Sequence, residues 1–193
     1  DIAAVDGIDG VFVGPADLSA SMGMLGQPTH PDVVAQVVRT FDAVRAAFPA
    51  ERAVSVRVSG TDWVPGGWDI DGTVAFAKAL QARSCSAIHV SSGGLHPAQA
   101  IPLGPGYQVP LARAVKQAVA MPVVAVGMIT GFDHAEAIVA NGDADLIAIA
   151  RGILYDPHWP WHAAAHLGAP VAVPPQYLRS QPRQFPNLLV KGG

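Results

Sequence analysis

Two apolar segments, Pro122–Gly127 and Ala144–Ala150, are each followed by residues that could bind an anion. The first segment ends in Gly127 and continues into Met128, and the second ends in Ala150 and continues into Arg151. Small residues let backbone N–H groups approach an anion closely, although glycine after a strand is also an ordinary turn residue. Combined with the guanidinium of Arg151, the two turns predict a phosphate site.

Two further charged residues lie in or after apolar segments. Arg57 lies within Val54–Ser59, and a buried arginine must be paired or face a ligand because it cannot lose its charge. A structural ion pair and a ligand contact are equally compatible with this position. Asp17 follows Gly10–Gly14, where a carboxylate can bind a metal ion or cap the next turn. On residue type alone, the cap is favoured.

The elements that must position these residues are short apolar strands alternating with amphipathic helices. Continuous rather than alternating hydrophobicity is typical of parallel strands covered on both faces. The five strand segments are Gly10–Gly14, Val54–Ser59, Ala87–Ser92, Pro122–Gly127 and Ala144–Ala150. Helical spacing of apolar residues is found in Asp32–Phe48, Gly72–Arg83, Val109–Val119, Asp133–Asn141 and Pro160–Leu167.

This order predicts an α/β fold of about five βα units, because parallel strands need crossover helices. Either a doubly wound sheet or a partial (β/α)₈ TIM barrel fits the pattern. A complete barrel usually takes ~250 residues, whereas this chain has 193. In both architectures ligands bind at the carboxyl ends of the strands, where the candidate residues lie.

Three histidines, His158, His162 and His166, recur at intervals of four residues in the last helical segment. They could share one helix face as metal ligands would, but no fourth ligand or acidic pair accompanies them. We therefore predict a solvated helix face. The adjacent Trp159 and Trp161 are predicted to pack this helix onto the barrel wall.

Composition excludes several classes of protein. The chain is 50% hydrophobic, so it is not disordered, and its net charge of -3 argues against a nucleic-acid-binding protein. No apolar run approaches the ~18 residues that cross a membrane, and the first residues lack the features of a signal peptide. The lone Cys85 fits a reducing, cytoplasmic setting. The chain begins with Asp1 rather than Met, as a piece of a longer protein would.

Residues 41–193 carry a series of motifs in a fixed order: VSVRVSGTDWVPGGWD, IHVSSGG, PGYQVP, VVAVGMIT, ADLIAIARGILYDPHWPW and PPQYLRSQPR. This series resembles the C-terminal half of the Old Yellow Enzymes, and most closely the branch that includes thermophilic-like ene-reductases and xenobiotic reductases. The resemblance implies an FMN-containing (β/α)₈ barrel that uses NAD(P)H to reduce activated alkenes or enones. The matching part corresponds to the last four strands of that barrel.

The resemblance also implies roles for individual residues. Arg57 would contact the N1/O2 edge of the flavin and stabilise negative charge on the reduced ring. Backbone N–H groups of Gly127 and Met128 would bind the FMN phosphate, and Ala150 and Arg151 would complete that site. Many relatives have glycine in place of Ala150. In the tail, Arg179 resembles the arginine that reaches into a partner subunit's active site, so a homo-oligomer is expected.

The catalytic residues of the Old Yellow Enzymes are not found in this sequence. In that family a pair of histidines, or His and Asn, polarises the substrate carbonyl, and a tyrosine commonly supplies a proton. Those residues belong to the N-terminal half, and neither His96 nor Tyr107 matches their pattern. We therefore expect half of an FMN site with little or no reductase turnover, or a barrel fragment that self-associates through its open sheet edges.

Residues 1–40 resemble a different family. The stretch VDGIDGVFVGPADLSASMGMLGQPTHPDV is similar to the class II pyruvate aldolases, which are also (β/α)₈ barrels. That likeness makes Asp17 a candidate ligand of Mg²⁺ or Mn²⁺ and places the Ala16 N–H on the pyruvate carboxylate. The second metal-binding acid, the catalytic His and the substrate Arg of those aldolases are absent. The expected junction lies near residues 39–41, and an aldolase or lyase fragment is the alternative function.

Overall fold

The structure, a computed structural model, describes residues 15–24, 27, 30–94 and 97–192. The predicted strand Gly10–Gly14 lies outside the described residues, as do His96 and the side chains of Ala16 and Asp17. The α-helices are α1 (Pro15–Ser21), α2 (Pro31–Ala47), α3 (Ile70–Gln81), α4 (Val109–Lys116), α5 (Phe132–Ala140), α6 (Arg151–Tyr155) and α7 (Trp159–Leu167). The strands are β1 (Ser55–Ser59), β2 (Ala87–Ser91), β3 (Val123–Ala125), β4 (Leu146–Ile147), β5 (Val171–Val173) and β6 (Leu189–Lys191), and a 3₁₀ helix spans Pro175–Ser180.

The main sheet contains β1, β2, β3 and β4, paired in chain order and all parallel. Helices α3, α4 and α5 connect successive strands, as parallel pairing requires. One face of the sheet is fully buried at Ile88, Val90, Val123 and Ala125, where it packs against apolar side chains of these helices. The predicted strand–helix alternation is therefore confirmed for the four strand segments that the structure describes.

The opposite face of this sheet is open. Strand pairing aligns Arg57, His89, Val124 and Leu146 in one row across it. Arg57 is exposed, and Leu146 keeps 54% of its surface accessible. The prediction that both faces are covered is thus wrong for this part of the chain. In a closed barrel the opposite strands would cover this inner face, but the described strands bury only the helix-covered side.

Two carboxylates fix the strands that lead to the candidate site. Asp145, just before β4, accepts hydrogen bonds from the Val123 N–H at 2.8 Å and from Lys116 Nζ at 2.7 Å. The hydrogen bond from Lys116 lowers the pKa of Asp145. Asp143 pairs with both Nε and Nη2 of Arg113, and these hydrogen bonds lower the pKa of Asp143. Helix α4 is thereby tied to the start of β4, and β3 is tied to the same point.

Helix α5 starts one residue earlier than the predicted segment Asp133–Asn141. The helix begins at Phe132 with Gly131 as its N-cap, which makes no side-chain cap. Asp133 instead bonds His166 of α7, with 2.9 Å between Oδ1 and Nε2. His162 likewise lies 2.7 Å from Asp156. His162 and His166 of α7 and its N-cap residue His158 are exposed, and no group of three or more potential metal ligands occurs within the described residues.

The proline-rich tail is folded. Strands β5 and β6 form a small parallel sheet, and Val173, Leu188 and Leu189 form a second core beneath it. Trp159 packs against the main core as expected. Trp161 packs against the tail cluster instead, so its predicted contact with the barrel wall is wrong. The reason is helical geometry, because residues two positions apart point to different sides of a helix.

None of the helices in the described ranges has both the length and the apolar character needed to cross a membrane.

Candidate functional site

The turns after β3 and β4 lie side by side at the carboxyl edge of the sheet. The two strands pair at Ala125 and Ile147, and the Ala148 N–H donates to the Ala125 carbonyl at 2.8 Å. Paired strands lie about 4.8 Å apart. Gly127 and Ala150 therefore follow neighbouring strand ends, as an anion site made of two adjacent turns requires.

The turn after β3 has an unusual backbone conformation. Gly127 has φ +121° and Met128 has φ +52°. Positive φ costs a non-glycine residue on the order of 1 kcal/mol, and residues held there are concentrated at ligand sites. Gly127 is buried, while the Met128 side chain is 45% exposed. The turn thus presents its backbone at the carboxyl edge of the sheet in a conformation that side-chain packing alone does not favour.

The turn after β4 contributes a free cation. Arg151 is the first residue of α6 and is exposed. Its guanidinium makes no hydrogen bond or ion pair to the residues that the structure describes. An arginine without a partner beside two adjacent backbone turns suits a phosphate monoester, which such a fork binds through paired hydrogen bonds.

Arg57 lies on the open face of the sheet, in the row where β1 residue Arg57 pairs with β2 residue His89. Its Nη1 is 3.0 Å from each ring nitrogen of His89, and its Nη2 donates to Ser91 Oγ at 3.1 Å. The expectation that Arg57 is buried is wrong, because this face carries no packed layer in the described part of the chain. No carboxylate pairs with Arg57 there either, so the structural ion pair is not formed.

His89 is held in its neutral form. Partial burial is the larger cause and the charge of Arg57 the smaller, and together they lower the pKa of His89 to about 4. At neutral pH the pair therefore carries one positive charge, which belongs to Arg57. This charge faces the open side of the sheet and is available to an electron-rich ring edge.

The low pKa of His89 predicts a stability that depends on pH. Between pH 4 and 6.5 the unfolded chain binds a proton at this position that the folded chain does not, so stability rises with pH across that window. Urea unfolding should give a free energy about 1–2 kcal/mol lower at pH 4.5 than at pH 7, allowing for partial exposure. His89→Asn should flatten this difference, whereas His158→Asn, at an exposed position, should preserve it. Equal pH dependence in both variants would contradict the prediction.

The other predicted residues lie apart from this edge or outside the described part. Arg179 lies in the 3₁₀ helix of the tail and is exposed. Tyr107 is half-buried just before α4. The side chain of Asp17 lies outside the described residues, so its role as a metal ligand stays a prediction.

Sequence reasoning missed Gln108, which precedes α4. Its side chain is 4% exposed and lies between the ends of β2 and β3. A signal was present in the sequence, because a polar residue stands between the turn and the apolar helix in PGYQVP. Nothing in the sequence, however, shows which way such a side chain points.

Comparison with known proteins decides the family. The NADH:flavin oxidoreductase / NADH oxidase family matches residues 34–169, which is most of the chain. The chain belongs to this family. The match contains β1 to β4 and both turns of the candidate site.

Individual relatives support the same family. The chain is 38% identical over 138 residues to an NADPH dehydrogenase of Geobacillus thermodenitrificans, covering 72% of this chain and 40% of that protein. It is 42% identical over 139 residues to an NADPH dehydrogenase of Bacillus licheniformis, with the same coverage. The chain therefore spans well under half the length of these family members.

Solved structures agree on the fold. A 2-naphthoyl-CoA reductase complex matches 72% of this chain and 21% of its own with a TM-score of 0.63 at 22% identity. Morphinone reductase in complex with tetrahydroNAD matches 84% of this chain and 38% of its own with a TM-score of 0.52 at 20% identity. The parallel α/β sheet is thus part of a TIM barrel, and the doubly wound alternative is set aside.

Proposed function

We propose that this chain forms the FMN-phosphate half of an NAD(P)H-dependent flavin oxidoreductase. The observation that carries the proposal is the adjacency of the β3 and β4 turns in a member of this family. Arg151, whose guanidinium has no partner among the described residues, lies directly after the second turn. The residues present fit the phosphate end of the cofactor. The support for this fit is a positive-φ turn, a neighbouring strand end and a guanidinium without a partner among the described residues, at the positions to which the resemblance described above assigns the FMN phosphate.

Each side chain or backbone group has a defined task in this proposal. The N–H groups of Gly127 and Met128 would donate to phosphate oxygens, and those of Ala150 and Arg151 would do so from the next turn. The Arg151 guanidinium neutralises the phosphate charge. Arg57 would face the N1/O2 edge of the isoalloxazine ring, where a cation would stabilise negative charge.

FMN, when bound, supplies the hydride chemistry between NAD(P)H and an activated alkene or enone, while the protein supplies orientation and electrostatics. The neutral state of His89 matters here. Because His89 adds no second positive charge at neutral pH, Arg57 would be the one cation of this pair beside the ring edge. The proposed acceptors are small molecules of this class.

Turnover tests the catalytic half of the proposal. We expect the isolated chain to bind FMN yet to show no measurable reduction of 2-cyclohexen-1-one by NADPH, because the carbonyl-polarising histidines and the proton donor of the family are not found in its sequence. The NADPH dehydrogenase of Geobacillus thermodenitrificans serves as the positive control. Turnover by the chain comparable to that control would overturn this expectation.

Two further predictions concern the C-terminal tail and segment 1–40. Arg179 is exposed in the folded tail, which is compatible with a contact to a partner subunit's active site. We propose a homo-oligomer on this basis, with the chain's molar mass in solution as its test. The aldolase-like segment 1–40, its Mg²⁺ or Mn²⁺ and the two-part division at residue 41 gain no support from the comparisons, and they remain predictions.

A further inference from the structure

Gln108 connects three neighbouring loops at the carboxyl edge of the sheet. It lies at the N-cap position of α4, yet its side chain makes no cap to that helix. The side chain turns instead toward the strand ends, where Oε1 accepts a hydrogen bond from Ser92 Oγ at 2.8 Å. Ser92 directly follows β2. The carboxamide therefore forms a hydrogen bond to a neighbouring loop rather than to the backbone of its own helix.

The same side chain packs against the turn after β3. A Cβ built on Gly127 would lie 2.7 Å from Nε2 of Gln108 and 3.2 Å from its Cβ and Cγ. Contact this close means that the carboxamide lies directly against the Gly127 backbone. Gly127 also accepts a backbone hydrogen bond from the Gly106 N–H at 2.8 Å. The segment before α4 thus holds this turn by a side chain and by its own backbone.

Burying the Gln108 carboxamide costs desolvation free energy, which its contacts must offset. With 4% of its surface exposed, Gln108 is one of few buried polar side chains among the described residues. A buried amide is retained only where hydrogen bonds and packing compensate its desolvation. Leucine or methionine would fill a simple core position at lower cost. A polar side chain at this position is explained by its contacts with Ser92 and with the turn at Gly127.

We propose that Gln108 is a positioning residue for the phosphate site, holding the Gly127–Met128 turn in place by bridging it to Ser92 at the end of β2. The inference rests on the proposed function for its ligand. In this proposal Gln108 acts through the turn, which it contacts, and not on the phosphate itself. Its loss should therefore weaken binding of the phosphate and leave the flavin ring contacts intact.

The first test compares FMN with riboflavin, which has the same ring but no phosphate. Gln108→Met keeps the length of the side chain and removes its hydrogen bond with Ser92. We expect it to weaken FMN binding about tenfold, the equivalent of one typical hydrogen bond, with riboflavin affinity within about twofold of wild type. Ser92→Ala should have a similar effect, and the double variant should be no worse than the worse single variant.

Several outcomes overturn the inference. Additive losses in the double variant would mean that the two side chains act separately. Equal losses of FMN and riboflavin affinity, or a fall in the thermal midpoint without a change in the FMN-to-riboflavin ratio, would mean that Gln108 only stabilises the fold. Unchanged FMN affinity in Gln108→Met would refute the positioning role directly.

A second measurement needs no flavin. Amide hydrogen exchange of Gly106, Gly127 and Met128 reports whether the turn is held, and Gln108→Met should speed exchange there while leaving β3 protected. Unchanged exchange would overturn the inference whatever the chain binds. A wild type that does not prefer FMN to riboflavin would instead defeat the proposed function, and would leave Gln108 without a phosphate to position. The two failures are thus distinguishable.

Discussion

Gly127→Ala is expected to weaken FMN binding about 100-fold and to lower the free energy of unfolding by about 2–3 kcal/mol. Two effects combine. The native φ of +121° is strained for any residue with a Cβ, and the added methyl group would lie 2.7 Å from Nε2 of Gln108. Because Gln108 is buried and bonded to Ser92, the turn must move instead, and its N–H groups move with it.

Gly104→Ala is the matched control. Gly104 lies in the loop before α4, and a Cβ there would meet no atom within 4 Å. Urea unfolding and flavin titration of this variant should match wild type within ~0.5 kcal/mol, as for most substitutions that neither clash nor strain the backbone. If Gly127→Ala behaved like Gly104→Ala in both measurements, the turn would not be a constrained binding element.

Arg151→Gln is expected to weaken FMN binding about 10- to 100-fold and to leave riboflavin binding unchanged. A hydrogen bond to a charged group contributes about 1.5–3 kcal/mol, and glutamine keeps polarity while removing the cation. The fold should be unaffected, since Arg151 is exposed and has no partner among the described residues. Raising the salt concentration should weaken FMN binding in wild type more than in this variant.

Arg183→Gln provides the control for net charge. Arg183 is exposed in the tail, so its loss changes the total charge by the same amount at a different place. Isothermal titration calorimetry should find FMN affinity unchanged in this variant. A similar loss in Arg151→Gln and Arg183→Gln would point to general electrostatic attraction rather than a defined phosphate contact.

The alternation of strands and helices could be predicted because it depends on local pattern. The continuous apolar segment Ala87–Ser92 and the helical spacing in Gly72–Arg83 place β2 and α3 within a few residues of their observed bounds. Helix α6 was not predicted, because five residues are too few to show a helical period. The sheet formed by β5 and β6 was not predicted, because each strand has only three residues and prolines stand close to both.

Site residues could be predicted where the composition of a turn indicates its chemistry. The burial and orientation of the other side chains could not be predicted in this way. The glycine and arginine after β3 and β4 are local signals, and the parallel fold brings them together. The exposure of Arg57 depends on whether another layer covers the sheet, which no local pattern states. The direction of the Gln108 side chain depends on Ser92 and Gly127, which are distant in sequence. Long-range contacts of this kind form only in the folded chain, so a local sequence pattern does not predict them.

The most direct test of the phosphate site is the ratio of FMN to riboflavin affinity in the wild-type chain, measured by quenching of flavin fluorescence. The two ligands share the ring and ribityl chain, so their ratio isolates the phosphate contacts of Gly127, Met128, Ala150 and Arg151. We predict that FMN binds about 100-fold more tightly, or roughly 2.7 kcal/mol. Equal affinity for FMN and riboflavin, or binding of neither, would contradict the phosphate site.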